Sequence, residues 1–179
     1  GNHNISNALA AVALGRQMGL SFTAIADSLA KFKGTGRRFE KLGEVNGVTV
    51  VDDYAHHPTE IKATLTAAKK LGYQRIVTVF QPHRYSRTQA MYADFAASFA
   101  DSDLTLINEI YPSFEPPIAG VSAKLIIDAA KARGLDFSYA ATEGDVLDYL
   151  RQTVQKGDLV LIMGAGNIIR AGERFVAEG

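Results

Sequence analysis

Two short clusters of polar side chains each follow an apolar, strand-like run, and together they have the chemistry to bind an anionic ligand. The clusters are Asp52 to Pro58 (DDYAHHP) and Gln81 to Arg87 (QPHRYSR). They contain two carboxylates, three imidazoles, two phenols and two guanidiniums. A guanidinium suits carboxylates and phosphates because it can donate two parallel hydrogen bonds to them. If both runs are parallel strands of one sheet, the two clusters lie at its carboxyl edge, where such sheets bind ligands.

Taken singly, each part of the first cluster also has a structural interpretation. The paired aspartates could simply end a strand, and His56-His57-Pro58 could be a turn before a helix. A zinc site built from His56, His57 and His83 is disfavoured, because adjacent histidines rarely both face one ion and the HExxH spacing is absent. A Ser-His-Asp triad using Ser86 is set aside because no nucleophile-elbow glycines surround it. We therefore predict no metal site in this chain, and the joint occurrence of the two clusters favours ligand binding.

A glycine-rich turn, GAGN at residues 164–167, follows another apolar run and could hold an anionic group at the start of a helix. Two observations weaken this interpretation. The third glycine of the dinucleotide-binding fingerprint is replaced by Ile169, and no acidic residue follows at the distance expected for a ribose contact. Close packing explains Gly164 and Gly166 equally well. The GxxxxGK[ST] phosphate loop is also absent from this chain.

The composition favours small-molecule chemistry. Lys plus Arg and Asp plus Glu number 19 each among 179 residues, so no net field attracts the chain to nucleic acid or to a membrane surface. The chain has no cysteine, which excludes disulfides, thiolate metal sites and a cysteine nucleophile. No apolar run approaches the roughly 18 residues of a membrane span, and the start lacks a signal-peptide layout. We therefore predict a cytoplasmic enzyme with no nucleic-acid or membrane partner.

The first part of the chain predicts two helices. Residues 5–14 are alanine-rich and apolar on most sides, as in a helix that is buried between other elements. A second, amphipathic helix is predicted at about residues 21–32, with Ser21 as its N-cap. The segment GTGRRFE at residues 34–40 then breaks the helical pattern with two glycines. We place a domain boundary directly after it, which gives domains at residues 1–40 and 41–179.

Beyond residue 41 the pattern predicts an α/β domain that is opened by a β-hairpin. Two β-prone runs flank Asn46-Gly47, the dipeptide that best tolerates the positive φ angles of a type I′ turn. Apolar strand-like runs then alternate with helical stretches. The predicted strands are at residues 76–80, 104–108, 136–139 and 159–163, and the predicted helices at residues 59–71, 88–99, 122–133 and 144–155, followed by a final helix. This order indicates a mostly parallel sheet with helices on both faces.

Four ordered segments resemble the Mur ligases of bacterial peptidoglycan synthesis. They are residues 1–8 (GNHNISNA), 36–40 (GRRFE), 52–60 (DDYAHHPTE) and 80–88 (FQPHRYSRT). Together they are highly specific. The last two in combination resemble the family member that adds L-alanine to UDP-N-acetylmuramate. A related recycling ligase attaches a tripeptide to the same acceptor; it typically has phenylalanine at the Tyr54 position and lacks the His-Arg-Tyr-Ser-Arg run.

The resemblance covers the whole chain but only the last part of the family's three-domain enzyme. It implies that residues 1–40 are the closing helices of the central ATPase domain, and that residues 41–179 are the Rossmann-like C-terminal domain. The UDP-binding N-terminal domain and most of the central domain, with the phosphate loop and the Mg²⁺ ligands, would belong to the same full-length chain. The implied enzyme uses ATP to phosphorylate the lactyl carboxylate, and the L-alanine amine then displaces phosphate. The present chain alone is expected to be inactive.

The resemblance also implies roles for individual side chains. Three are expected near the adenine end of ATP, namely His3, Asn4 and Asn7. Arg38 is expected at the terminal phosphates, where its charge would counter developing negative charge, and Asp53 at the ribose hydroxyls. Four are expected to hold alanine or the alanine end of the product, namely Tyr54, His56, Arg84 and Arg87. Arg38 and His56 are the predicted catalytic residues, and the predicted supporting residues are Arg37, His57, His83, Gly164 and Gly166.

One hypothesis from a different class stays open. The chain could be a self-contained module that binds a nucleotide at the GAGN turn. Calorimetry with nucleotides on the isolated chain separates the two hypotheses, because a part of a ligase should not bind them tightly without the other domains.

Overall fold

The computed structural model describes residues 2–32 and 34–179, without the side chains of Asn2 and His3. The chain divides into the units Gly1–Gly36 and Arg37–Gly179. The division falls after Gly36, whereas the sequence predicted a boundary after residue 40. The GRRFE segment belongs mostly to the second unit because its backbone is bonded there: Tyr54 N donates to the Arg37 carbonyl at 2.7 Å. The assignment of the two units to domains of a larger enzyme stays a prediction.

The first unit consists of the two predicted helices, α1 (Asn2–Gln17) and α2 (Phe22–Lys31). Ser21 is the N-cap of α2, since its hydroxyl accepts from Ala24 N at 3.2 Å. Many apolar side chains of this unit are exposed, including Ile5, Leu9, Leu14, Met18, Leu20, Phe22 and Phe32. The burial predicted for the first helix is therefore not found, because two helices cannot surround one another.

The second unit is built on a six-stranded sheet with the order β1-β2-β6-β3-β4-β5. The strands are β1 (Glu40–Val45), β2 (Val48–Asp53), β3 (Arg75–Phe80), β4 (Leu104–Asn108), β5 (Ser138–Ala140) and β6 (Asp158–Met163). The helices are α3 (Pro58–Lys69), α4 (Tyr85–Ala96), α5 (Lys124–Lys131), α6 (Glu143–Thr153) and α7 (Ile169–Glu178). The first strand pairs antiparallel with the second, and the other pairs are parallel. The predicted α/β fold is confirmed.

The opening hairpin has the predicted turn. Asn46 and Gly47 have φ angles of 51° and 80°, and a type I′ turn requires positive φ at both central residues. This turn connects β1 to β2 in the antiparallel register observed. Because β2 runs parallel to β6, its last residue, Asp53, pairs with Met163 at the carboxyl edge of the sheet.

Helices cover both faces of the sheet. The residues of each strand alternate between the two faces, so each strand packs against helices on both sides. On β6, Leu159, Leu161 and Met163 pack in the cluster formed with α3, α4 and α5, whereas Val160 and Ile162 pack with α6 and α7. Each fully buried aliphatic side chain of this kind contributes about 2 kcal/mol. The result is a rigid platform from which the loops at the carboxyl edge extend. None of the described helices is long and apolar enough to cross a membrane.

Candidate functional site

The two polar clusters meet at the carboxyl edge of the sheet. They follow β2 and β3, which both pair with β6, and the GAGN turn follows β6 between them. Three loops from adjacent strands therefore form one surface. The strands are not in sequential order in the sheet. Strand β6 lies between β2 and β3, and therefore between the two clusters, although it comes about 80 residues after the second cluster in the chain.

A row of aromatic rings links the loops. The Tyr54 and His56 rings meet edge to face with centroids 5.4 Å apart, and the His56 and His83 rings are 6.0 Å apart. His83 in turn stacks on Tyr111 from the loop after β4, at 5.6 Å and an angle of 20°. The predicted meeting of the two clusters is thus observed, while the ligand roles of these side chains stay predictions.

The surface is rich in cations. Arg38 lies over the Tyr54 ring at 5.6 Å, and no carboxylate of the described residues lies within ion-pair distance of it. Arg84 and Arg87 lie at the start of α4, and the buried Arg87 Nη1 has no hydrogen-bond partner among the described residues. A buried nitrogen of this kind needs an acceptor, which a bound anion can supply.

His83 is held without charge at neutral pH. Burial lowers the pKa of its imidazole, and the electrostatic influence of Arg87, His56 and Arg84 lowers it further, while Glu115 acts in the opposite direction. Its Nδ1 is buried and has no partner among the described residues. The ring therefore adds no positive charge of its own, and the positive charge at this place comes from the guanidiniums of Arg84 and Arg87.

His56 and His57 differ in position although they are adjacent. His57 caps α3, since its Nδ1 accepts from Thr59 N at 3.3 Å, and Glu60 accepts from the backbone N–H of His56 and of His57 at 3.0 and 3.2 Å. The turn-before-helix interpretation is therefore correct for His57. The His56 Nδ1 lies 3.0 Å from the Tyr54 carbonyl oxygen, which can only accept, so in the neutral ring the lone pair is on Nε2.

Arg37 is committed to contacts within the chain. Its Nε and Nη2 donate to the two oxygens of Asp52 at 2.8 and 3.3 Å, and Nη2 and Nη1 donate to the carbonyls of Gly164 and Gly166 at 2.7 and 3.2 Å. Asp52 is 0% exposed. Burial raises the pKa of its carboxyl group, and Arg37 opposes that shift. Arg37 therefore links its own segment to the end of β2 and to the GAGN turn, and its guanidinium is already used in contacts within the protein.

Asp53 is also largely used inside the protein. One oxygen accepts from Phe39 N at 2.9 Å, and the other accepts from Ala55 N at 2.8 Å and from the Thr64 hydroxyl at 3.3 Å. The residue is 5% exposed. Three of the roughly four acceptor positions of a carboxylate are thus occupied. The predicted ribose contact would have to use the remaining one.

The GAGN turn is shaped by packing. A Cβ on Gly166 would lie 2.6 Å from Tyr111 Cγ, and a Cβ on Gly164 would lie 2.8 Å from the Gln81 carbonyl oxygen. The carbonyls of both glycines accept from Arg37, and Gly164 N donates to the Asp53 carbonyl, so these groups are already used in contacts within the protein. These contacts support the packing interpretation of the two glycines.

Replacing Gly164 with alanine is expected to lower the free energy of unfolding by about 2 kcal/mol. The added Cβ would meet backbone, and its φ of 149° is one that residues with a side chain rarely adopt. Gly120→Ala, with φ 76° and open space around the Cβ, should cost about 1 kcal/mol. Gly144→Ala inside α6 should be neutral or slightly stabilising. Urea unfolding of the three variants measures these values, and a fully stable Gly164 variant would contradict the packing role.

Arg84 has a strained backbone. Its φ and ψ are 76° and 138°, a combination that costs a residue with a Cβ about 1–3 kcal/mol. The helix after it begins at Tyr85, three residues before the predicted start at residue 88. The sequence interpretation missed the reason, which lies in the loop after β4: Tyr111 and Glu115 bond to this turn. No local signal marks either residue, because the contacts are long-range.

A cavity of about 320 Å³ adjoins the row of rings and shares Tyr111 with it, and Gln81 of the second polar cluster also lines it. Its amide side chains satisfy one another, since Gln81 Nε2 donates to Asn108 and to Asn167, each at 3.0 Å. The sequence analysis noted Gln81 in the second polar cluster and Asn167 in the GAGN turn, but it gave Asn108 no role beyond the end of a strand. Asn4 and Asn7 lie exposed on α1 in the other unit, and the His3 side chain lies outside what the structure describes.

Comparison with known proteins decides the family. The family model described as "Mur ligase, glutamate ligase domain" matches residues 37–166, which is most of the chain. The chain belongs to the Mur ligase family. The match begins at Arg37, the residue with which the second unit begins.

Two similar proteins have the same name. The UDP-N-acetylmuramate–L-alanine ligases of Pelotomaculum thermopropionicum and Desulforamulus reducens are 52% and 51% identical to this chain over 177 residues. These matches cover 98% of the chain and 38% of each relative, so the chain spans well under half the length of those proteins.

Solved structures of Mur ligases have the same fold. The UDP-N-acetylmuramate-alanine ligase of Thermotoga maritima has a TM-score of 0.82 at 31% identity, and covers 99% of this chain with 38% of its own. A murein peptide ligase from Psychrobacter arcticus has a TM-score of 0.75 at 29% identity, with 99% and 37% coverage.

Proposed function

We propose that this chain is part of an ATP-dependent Mur ligase that joins L-alanine to UDP-N-acetylmuramate. The observation that carries the proposal is the meeting of the two polar loops, with Tyr54, His56 and His83 in one row and Arg38 over its end. The names of the relatives support the substrate, and the murein peptide ligase at lower identity supports the alternative tripeptide substrate less well. The other wall of the cleft would come from the remaining length of such a ligase.

The proposed reaction needs charge neutralisation and alignment more than a protein nucleophile. The lactyl carboxylate takes the γ-phosphate of ATP and becomes an acyl phosphate. The neutral amine of L-alanine then attacks the acyl carbon, so that a C–N bond forms and phosphate leaves with the electrons of the C–O bond. The nitrogen gives up one proton in this step, which the departing phosphate can accept. The amine must therefore be held close to the acyl carbon while its own carboxylate is bound elsewhere.

Arg84 and Arg87 suit that carboxylate. Arg84 is the N-cap of α4 and Arg87 lies in its first turn, and Arg87 Nη1 has no partner within the described residues. The uncharged His83 beside them adds no competing positive charge. Tyr54 and His56 would line the path between this carboxylate site and Arg38.

Arg38 in the second unit suits a phosphate of ATP, and the exposed amides of α1 in the first unit suit a base edge. Arg38 is exposed and unpaired among the described residues, so a phosphate could take its charge. Asn4 and Asn7 are three residues apart on a helix, which places exposed amides on one side for a base edge. Mg²⁺ does not fit this part of the chain, because the neighbouring carboxylates of Asp52 and Asp53 already accept hydrogen bonds from protein groups. We expect the ion to be bound by the other domains.

In a full-length ligase, Arg84→Ala and Arg87→Ala are each expected to raise the KM for L-alanine about 10- to 100-fold, the loss of a charge-assisted hydrogen bond. The KM for ATP should not change. Arg133→Ala, an exposed arginine after α5, is the matched control. Steady-state assays with each substrate varied in turn measure both constants. Normal alanine KM values in both variants would refute the carboxylate site.

A further inference from the structure

The segment Tyr111–Glu115, in the loop after β4, is fastened to the turn that carries His83 and Arg84. Tyr111 N donates to the Pro82 carbonyl and Arg84 N donates to the Tyr111 carbonyl, both at 2.8 Å. The Tyr111 ring also stacks on His83. Backbone and side-chain contacts from this segment therefore hold the turn at Arg84, the residue with the strained backbone conformation.

Glu115 provides the cap that α4 lacks. Arg84 occupies the N-cap position but makes no side-chain capping bond. Instead, Ser86 N donates to Glu115 Oε2 at 3.0 Å, and the Ser86 hydroxyl donates to Glu115 Oε1 at 2.6 Å. These bonds lower the pKa of Glu115, so the carboxylate is charged at neutral pH. A carboxylate at a helix N-terminus satisfies free N–H groups and favours the first turn.

We propose that Glu115 is a positioning residue that holds Arg84 and Arg87 in their arrangement for the alanine carboxylate. The inference rests on the proposed function. The two arginines are the N-cap and the third residue of α4, and Ser86 lies between them. If the first turn frays, Arg84 leaves its positive φ and the two guanidiniums no longer face one carboxylate. Glu115 itself touches no substrate in this arrangement.

The capping geometry can be separated from the charge of Glu115. In Glu115→Gln the amide oxygen can still accept from Ser86 N, and the amide nitrogen can donate to the Ser86 hydroxyl. That variant keeps both contacts and loses the charge. Glu115→Ala loses both. Ser86→Ala loses only the hydroxyl contact, and Glu44→Ala, on exposed β1, is the matched control.

The test uses the full-length ligase. Glu115→Ala is expected to raise the KM for L-alanine roughly five- to tenfold, the fold-change that corresponds to the whole stability cost of a lost helix cap falling on alanine binding, with an unchanged KM for ATP. Ser86→Ala should raise the KM for L-alanine by about threefold. In Glu115→Gln and Glu44→Ala this KM should stay within about twofold of the value for the unmodified enzyme. Hydrogen exchange at the Ser86 amide should be faster in Glu115→Ala and unchanged in Glu115→Gln.

Three results would overturn the inference. They are an unchanged alanine KM in Glu115→Ala, equal rises in the KM values for alanine and ATP together with a lower Tm, and a Glu115→Gln variant as impaired as Glu115→Ala. Failure of the proposed function looks different, because the unmodified enzyme would then not use L-alanine. The exchange measurement at Ser86 does not depend on the substrate, so an unchanged exchange rate in Glu115→Ala would still reject the cap.

Discussion

Replacement of Arg37 by alanine is expected to lower the free energy of unfolding by about 3 kcal/mol, because it leaves a buried carboxylate without its cation. Asp52 is 0% exposed and receives two hydrogen bonds from this guanidinium. The same side chain also satisfies two carbonyls of the GAGN turn, which would lose their partner. Urea unfolding of the chain at pH 7 measures the difference. Arg37→Lys should recover only part of it, since an ammonium cannot form the two parallel bonds.

The pH dependence of that loss has a definite sign. Burial already raises the pKa of Asp52 in the folded state, and removing Arg37 removes the group that lowers it. A carboxyl group with a raised folded pKa costs stability once the pH rises above its unfolded value of about 3.9. The deficit of Arg37→Ala relative to the parent should therefore be larger at pH 7 than at pH 4. Adding Asp52→Asn should return part of the stability at pH 7, and a deficit that is constant with pH and insensitive to Asp52 would contradict this account.

The sequence carried enough information for the sheet because its signals are local. Asn46-Gly47 predicts its own turn, and a run such as Leu159 to Met163 is apolar because both faces of its strand are covered. The polar clusters could be placed for the same reason, as they follow strands whose carboxyl ends share an edge. Strand order was not predicted, and it puts β6 between the two clusters.

The individual roles within the site were less predictable because they depend on distant partners. Arg37 and Arg38 are identical neighbours, yet Arg37 has φ 59° and reaches carbonyls 127 and 129 residues away, while Arg38 stays exposed. The start of α4 was predicted three residues late because its cap, Glu115, is 29 residues from Ser86. Patterns within one helix or strand contain no trace of such contacts.

Arg38→Ala is expected to lower kcat of the full-length ligase about 10²- to 10³-fold, with little change in folding stability. The guanidinium is exposed, stacks on Tyr54 and has no ion-pair partner among the described residues, so its removal leaves no buried charge behind. Its proposed role is to neutralise charge on the transferring phosphoryl group, and such a contact is stronger in the transition state than in the bound substrate. The KM for ATP should therefore change much less than kcat.

Rapid-quench measurement of acyl-phosphate formation from ATP and UDP-N-acetylmuramate, without L-alanine, isolates the affected step. Arg38→Lys should keep part of the rate because it keeps the charge but loses the fixed fork of donors. Arg37→Ala, assayed at a temperature where it is folded, is the internal comparison. Any loss of its acyl-phosphate rate should be explained by its lower folding stability, whereas the loss in Arg38→Ala should occur in a stably folded enzyme. Since the two arginines are adjacent, a phosphate effect at Arg37 and none at Arg38 would reverse the assignment, and an unchanged rate at both would remove this segment from the ATP site.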